Sequence, residues 1–174
     1  MKPEIYKGHT CCFIGHRKIA ETPELKNNLS KSIERLITEN GVDTFLFGSK
    51  SDFDDLCRAV VTELKEKHPH IRRIYVRAEY EHISEDYRNY LLRRCDDTYY
   101  PENISGSGKA AYVERNHEMI NNSEYCIVYY DENYAPPTRK NSKRDLLAYQ
   151  PKSGTKVAYD YAVKKGKTII NLLS

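Results

Sequence analysis

The sequence predicts an α/β fold, an open and mainly parallel sheet with helices on both faces. Short apolar runs of strand length alternate with stretches whose apolar residues recur at helical spacing. Strand–helix–strand units close by right-handed crossovers, which lay successive strands parallel and spread helices over both faces. At 174 residues, 39% hydrophobic and 30% charged, the chain suits one domain, 1–174, that buries a core without disulfides or metal.

Thr10 to Gly15 (TCCFIG) reads as a buried strand. Thr22-Pro23 supplies an N-cap and a first-turn proline for a helix whose apolar positions are Leu25, Leu29, Ile33, Leu36 and Ile37, with Gly41 as its stop. Thr44 to Gly48 (TFLFG) is the second strand. A helix from about Asp52 to His68 follows, ended by Pro69. Ile71 to Ala78 (IRRIYVRA) is a third strand, polar enough to place near a sheet edge. Ser84 to Arg94 reads as a helix, Asp97 to Tyr100 as a short strand or turn, and Lys109 to Asn121 as another helix. Tyr125 to Tyr130 (YCIVYY) is a strong strand. The stretch Asp131 to Gln150, with Pro136-Pro137 and the basic Arg139, Lys140, Lys143 and Arg144, reads as a long loop or lid inserted in the domain. Helix and strand return over Thr155 to Lys165 and Lys167 to Leu172.

A net charge of +3 permits a local anion site but speaks against nucleic acid, whose binders carry dense basic runs. Cys11, Cys12, Cys57, Cys95 and Cys126 contain no CxxC pair, so no metal site is expected and the thiols read as reduced. His68-Pro69-His70 reads as a helix end rather than a ligand pair. No apolar segment opens the chain and none approaches the roughly 20 residues of a membrane span. A cytoplasmic protein without a membrane partner is expected.

In open α/β sheets, ligands bind beyond the carboxyl ends of the strands. After the first strand come Gly15, His16 and Arg17, a close-approach glycine followed by two donors suited to phosphate or ribose. A turn with solvated polar residues explains them equally well. After the second strand come Gly48, Ser49 and Lys50, leading through Ser51 to a helix whose amides and dipole favour an anion. Asp52 or Asp54 would cap that helix, or Asp54 would hold a ribose hydroxyl. Ser153, Gly154 and Thr155 repeat the small-residue turn before the last helix, where an ordinary N-cap competes. Arg115 and Asn116 sit in the fourth helix. Taken alone, Arg115 reads as a surface ion pair with Glu114 or Glu118. Glu118 is a conceivable general base.

Taken together, CCFIGHR, GSKSDFD, the RN pair of YVERNHEMI and the SGT turn resemble the YpsA-like branch of the SLOG superfamily, from Thr10 to Leu172. That resemblance implies a Rossmann-like fold and a nucleotide or ADP-ribose-type ligand, with no cofactor required. It implies a pocket lined by Gly15, His16, Arg17, Gly48, Asp54, Arg115, Asn116, Gly154 and Thr155. Glu114-Arg115-Asn116 is similar to a helix segment of the catalytic LOG-type phosphoribohydrolases. Their PGGxGTxxE turn is matched only in part: Lys152-Ser153 replaces the double glycine, and Ala158 stands where the acid–base glutamate belongs.

The expected function is therefore binding or sensing of a nucleotide-like, phosphate-bearing small molecule. One alternative is a nucleotide N-glycosidic hydrolase using Arg115 with Asp54 or Glu118. A second is a single-stranded DNA-binding module, as in a DNA-processing relative of similar fold. Homo-oligomers are common among such folds.

Overall fold

The computed structural model describes residues 2–133 and 154–173. Six strands form one sheet: β1 (Thr10–Gly15), β2 (Thr44–Phe47), β3 (Arg72–Val76), β4 (Asp97–Tyr99), β5 (Tyr125–Tyr129) and β6 (Thr168–Asn171). Between them run α1 (Pro23–Asn40), α2 (Asp52–Lys67), α3 (Glu85–Arg94), α4 (Lys109–Asn121) and α5 (Gly154–Lys164). The strand order is β4-β3-β2-β1-β5-β6, with every pairing parallel. This is the α/β Rossmann-like architecture.

Strand alternation sorts the core into two layers. Cys11, Phe13, Phe45, Phe47 and Ile127 point to one face, where Leu29 and Ile33 of α1 and Val60 and Val61 of α2 cover them. Cys12, Ile14, Leu46, Val76, Cys126 and Val128 point to the other, under Met119 and Ile120 of α4 and Ala158 and Ala162 of α5. All five cysteines are buried and free, packing as small apolar groups.

Local signals place the helix ends. Thr22 Oγ1 accepts from the Leu25 amide at 3.1 Å, and Gly41 closes α1 in the left-handed region at φ 69°. Ser84 caps α3 in the same way, accepting from the Tyr87 amide at 3.1 Å. His68 forms the C-cap of α2, with Nε2 3.2 Å from a Glu34 carboxylate oxygen.

β3 lies near a sheet edge, as its polarity suggests, with only β4 outside it. Its polarity has a specific cause. Arg73 donates from Nε and Nη2 to the two Asp96 carboxylate oxygens, each at 3.1 Å, while the Asp96 amide donates to the Arg73 carbonyl at 2.7 Å. That fork pins the turn that leads into β4.

From β1 the chain steps outward through β2, β3 and β4, then crosses to β5 and β6 on the other side. The order therefore reverses between β1 and β5, and their carboxyl ends flank the crevice where such sheets receive ligands. Among the described residues, no helix is long and apolar enough to cross a membrane. No group of three or more His, Cys, Asp or Glu among them is placed to hold a metal ion.

Candidate functional site

The carboxyl end of β1 is tied to both of its neighbours. A Cβ on Gly15 would stand 2.2 Å from Phe53 Cδ2, so only glycine lets the first turn of α2 close over β1. The Asp52 amide donates to the Arg17 carbonyl at 2.9 Å. On the β5 side, the Asp131 amide donates to His16 Nε2 at 2.8 Å, bridging the point where strand order reverses.

That bond fixes which nitrogen of His16 is left to donate. A backbone N–H can only donate, so Nε2 accepts and the imidazole proton sits on Nδ1. The ring is 1% exposed, and burial lowers its pKa below the ordinary histidine value. Arg17 extends outward and is exposed.

At the end of β2 the cap is Ser51, whose Oγ accepts from the Asp54 amide at 3.0 Å and sits 2.8 Å from Ser49 Oγ. This corrects the choice of Asp52 or Asp54 as the cap. Asp54 is instead turned inward. It is 1% exposed, and neither carboxylate oxygen has a hydrogen-bond partner of normal geometry among the described residues. Burial pushes its pKa up to about 7, against the opposing pull of Arg115, Arg58 and the nearby Gly48 amide.

Arg115 reaches the same turn from the opposite face of the sheet. Its Nη1 donates to the Gly48 carbonyl, and its Nε and Nη2 lie 3.4 and 3.3 Å from Asn116 Oδ1. The guanidinium carbon lies 5.3 Å from the Tyr112 ring centroid. Arg115 is 5% exposed, so it is no surface ion pair with Glu114 or Glu118. Burial lowers its pKa, opposed by Tyr75, Asp54, Tyr112 and Glu79. A Cβ on Gly48 would sit 2.8 Å from Arg115 Cδ and 2.9 Å from Met119 Sδ, so glycine makes room for the guanidinium.

Three further residues join this group, and sequence reasoning did not single them out. Glu79 accepts from Tyr112 Oη at 2.6 Å and from Lys50 Nζ at 3.3 Å. Tyr75, half-buried on β3, has its hydroxyl pKa pushed up to about 12 by burial. Glu79 follows the end of β3 by three residues, so inspecting the carboxyl end of that strand as well would have found it.

The two flanking glutamates have other engagements. Glu114 accepts from the Ser105 amide (2.9 Å), the Ser105 hydroxyl (3.1 Å) and the Gly106 amide (3.2 Å). Glu118 pairs with Lys2 at 2.8 Å and accepts from Tyr99 Oη at 3.1 Å, one turn beyond Arg115 toward the amino edge of the sheet.

Gly154 and Thr155 open α5 beyond β5, Gly154 exposed and Thr155 buried. Ala158 is 1% exposed within the core layer under β1, so that position offers no side chain to a ligand. Ser153 and the basic stretch from Arg139 to Arg144 lie outside the described residues.

The edge thus carries Gly48, Ser49, Lys50, Asp54, Arg115 and Asn116 at β2, and Gly15, His16 and Arg17 beside them at β1. Gly154 and Thr155 lie across the reversal point. A cleft of about 240 Å³ opens on the β3–β4 side of this row, lined in part by Glu79 and Tyr112.

These features define an α/β protein whose polar groups gather at the carboxyl edge of a Rossmann-like sheet. The YpsA family model, described as a SLOG family, matches residues 6–161, and the chain belongs to that family. No curated protein matches it. Among solved structures it is similar in fold to DNA processing protein A from Helicobacter pylori, described for its single-stranded DNA binding mode. That likeness has a TM-score of 0.56 at 15% identity, covering 94% of this chain and 64% of the other, so this chain spans less than two thirds of that structure.

Proposed function

We propose that the protein binds a nucleotide-like, phosphate-bearing small molecule at the carboxyl edge of its sheet. The observation that carries this reading is the pairing of two buried, oppositely charged groups at one glycine turn. Neither Asp54 carboxylate oxygen has a hydrogen-bond partner of normal geometry among the described residues, and Arg115 reaches the same turn through the Gly48 carbonyl. A buried carboxylate so poorly supplied with donors is costly for a fold. A ligand hydroxyl pair, such as a ribose diol, satisfies it. Arg115, Lys50 and Arg17 supply positive charge for the phosphate, and the α2 and α5 N-termini lie along the same edge.

Thermal-shift measurements over a panel of nucleoside mono- and diphosphates and ADP-ribose test this reading. A ligand held at 100 times its Kd adds about 2.7 kcal/mol of apparent stability. A panel that leaves the melting temperature unmoved, in wild-type protein at millimolar ligand, contradicts it.

One observation favours catalysis as the second reading. An acid whose pKa lies near 7 is suited to proton transfer at neutral pH, and Asp54 is such a group. N-glycosidic hydrolysis would then use Asp54 where the related enzymes use the glutamate that Ala158 replaces. Release of free base from a nucleoside monophosphate, lost in Asp54→Asn, supports this reading, and binding without turnover excludes it. Single-stranded DNA binding is supported only by the shared fold with DNA processing protein A. Oligonucleotide affinity falling steeply with salt would favour it.

A further inference from the structure

We infer that the cleft between the β3 and β4 ends is a nucleobase subsite, lined by Tyr80, Tyr100 and Tyr112 and by the glycine-bearing 106–108 turn. This inference rests on the nucleotide reading above and adds to it the place and chemistry of the base.

The cleft holds about 240 Å³. Pockets that enclose a drug-sized ligand run to roughly 300–1,000 Å³, so this one takes a single ring system and leaves the remainder of a nucleotide outside. Its aromatic lining is unusually accessible: Tyr80 is 58% exposed and Tyr112 is 38% exposed. Exposed aromatic faces offer stacking area at small entropic cost, and base–aromatic stacking is tolerant of base identity. The 106–108 wall carries two glycines, Gly106 and Gly108. A Cβ on Gly106 would stand 2.7 Å from the Ala110 Cβ, and Gly108 has φ +60°. That wall is also fixed in place, because Glu114 holds the Ser105 and Gly106 amides and the Asn103 side chain donates to the Glu114 carbonyl at 3.0 Å. Accessible rings and a pinned backbone lining one cleft suit a planar guest.

Three contacts join this cleft to the charged group at Gly48. Tyr112 lies beside the Arg115 guanidinium and donates to Glu79, and Glu79 in turn accepts from Lys50. A base in the cleft therefore directs its sugar and phosphate toward Lys50 and Arg115. Glu79 also lines the cleft. A carboxylate accepts hydrogen bonds and cannot donate them, so it favours a base with an exocyclic amino group over one with a carbonyl there.

Calorimetric titration of AMP, IMP and ribose 5-phosphate into wild-type protein and Tyr80→Ala tests the assignment. Tyr80 is exposed, so its truncation leaves the fold intact, and ribose 5-phosphate binding reports whether the charged site survives. The expected result is AMP tighter than ribose 5-phosphate by about ten-fold or more, AMP tighter than IMP, and AMP falling toward ribose 5-phosphate in the variant. Equal affinity for AMP and ribose 5-phosphate, or an AMP affinity unchanged in Tyr80→Ala, overturns the subsite while leaving the phosphate site standing. If wild-type protein binds none of the three, the subsite fails, whereas the reading on which it rests falls only if the wider panel of diphosphates and ADP-ribose also leaves the melting temperature unmoved.

Discussion

Asp54 and Arg115 meet at the Gly48 turn from opposite faces of the sheet, both buried and electrostatically coupled, with no hydrogen bond between them. Arg115 spends one donor on the Gly48 carbonyl, and the missing Gly48 side chain leaves the space that it occupies. A fold gains little from such an arrangement by itself. Breaking or leaving unsatisfied a buried charge costs stability, whereas a ligand that completes the hydrogen bonds recovers it.

The Asp54 carboxyl should make stability fall as pH rises. Its folded pKa is raised from 3.8 to about 7, so folding takes up a proton between those values. The penalty is absent below the unfolded pKa, grows across the window and is complete above about 7. Asp54→Asn should therefore raise the melting temperature at about pH 8, by a gain on the order of 5 °C, and change it little near pH 4. Melting curves of both proteins across that range check the sign.

Gly15 should resist even a methyl group. Alanine there collides with the Phe53 ring, and Phe53 is fully buried against Tyr129, ring centroids 5.7 Å apart. Gly15→Ala should cost about 1–3 kcal/mol in urea unfolding. Adding Phe53→Leu should cost less than the sum of the two single changes, because the second opens room for the first.

Gly48→Ala should act differently, since the new methyl meets the unbranched side chains of Arg115 and Met119 rather than a packed ring. Its loss of stability should be smaller than that of Gly15→Ala, while nucleotide affinity falls by about ten-fold as the guanidinium is displaced. Paired unfolding and binding measurements on the two variants separate the roles.

Glu114 should matter to the 105–106 turn and not to charge at the ligand. Glu114→Ala removes the acceptor for the Ser105 and Gly106 amides. Hydrogen exchange at those two amides should quicken several-fold, with the β1 and β5 amides unchanged.

Much of the fold was legible because its signals are local. Thr22, Pro23 and Gly41 mark α1 through backbone geometry that needs no tertiary contact. The site was legible only where a glycine or a turn announced it. Ser51 was hidden as a cap by the two aspartates beside it. Arg115 stands between Glu114 and Glu118 and so reads as a surface residue. Only the packing of α4 against the end of β2 shows it to be buried. Glu79 carries no motif at all and gains meaning from Tyr112 and Lys50, distant in sequence.

The most direct test is titration of AMP into wild-type protein and Arg115→Met, near neutral pH and at fixed salt. Methionine keeps most of the buried volume and removes the charge. Saturable binding of one nucleotide per chain in the wild type, weakened ten-fold or more in Arg115→Met while the variant stays folded, is the predicted result. Equal affinity in the two proteins would contradict the assignment of the Gly48 turn as the ligand site.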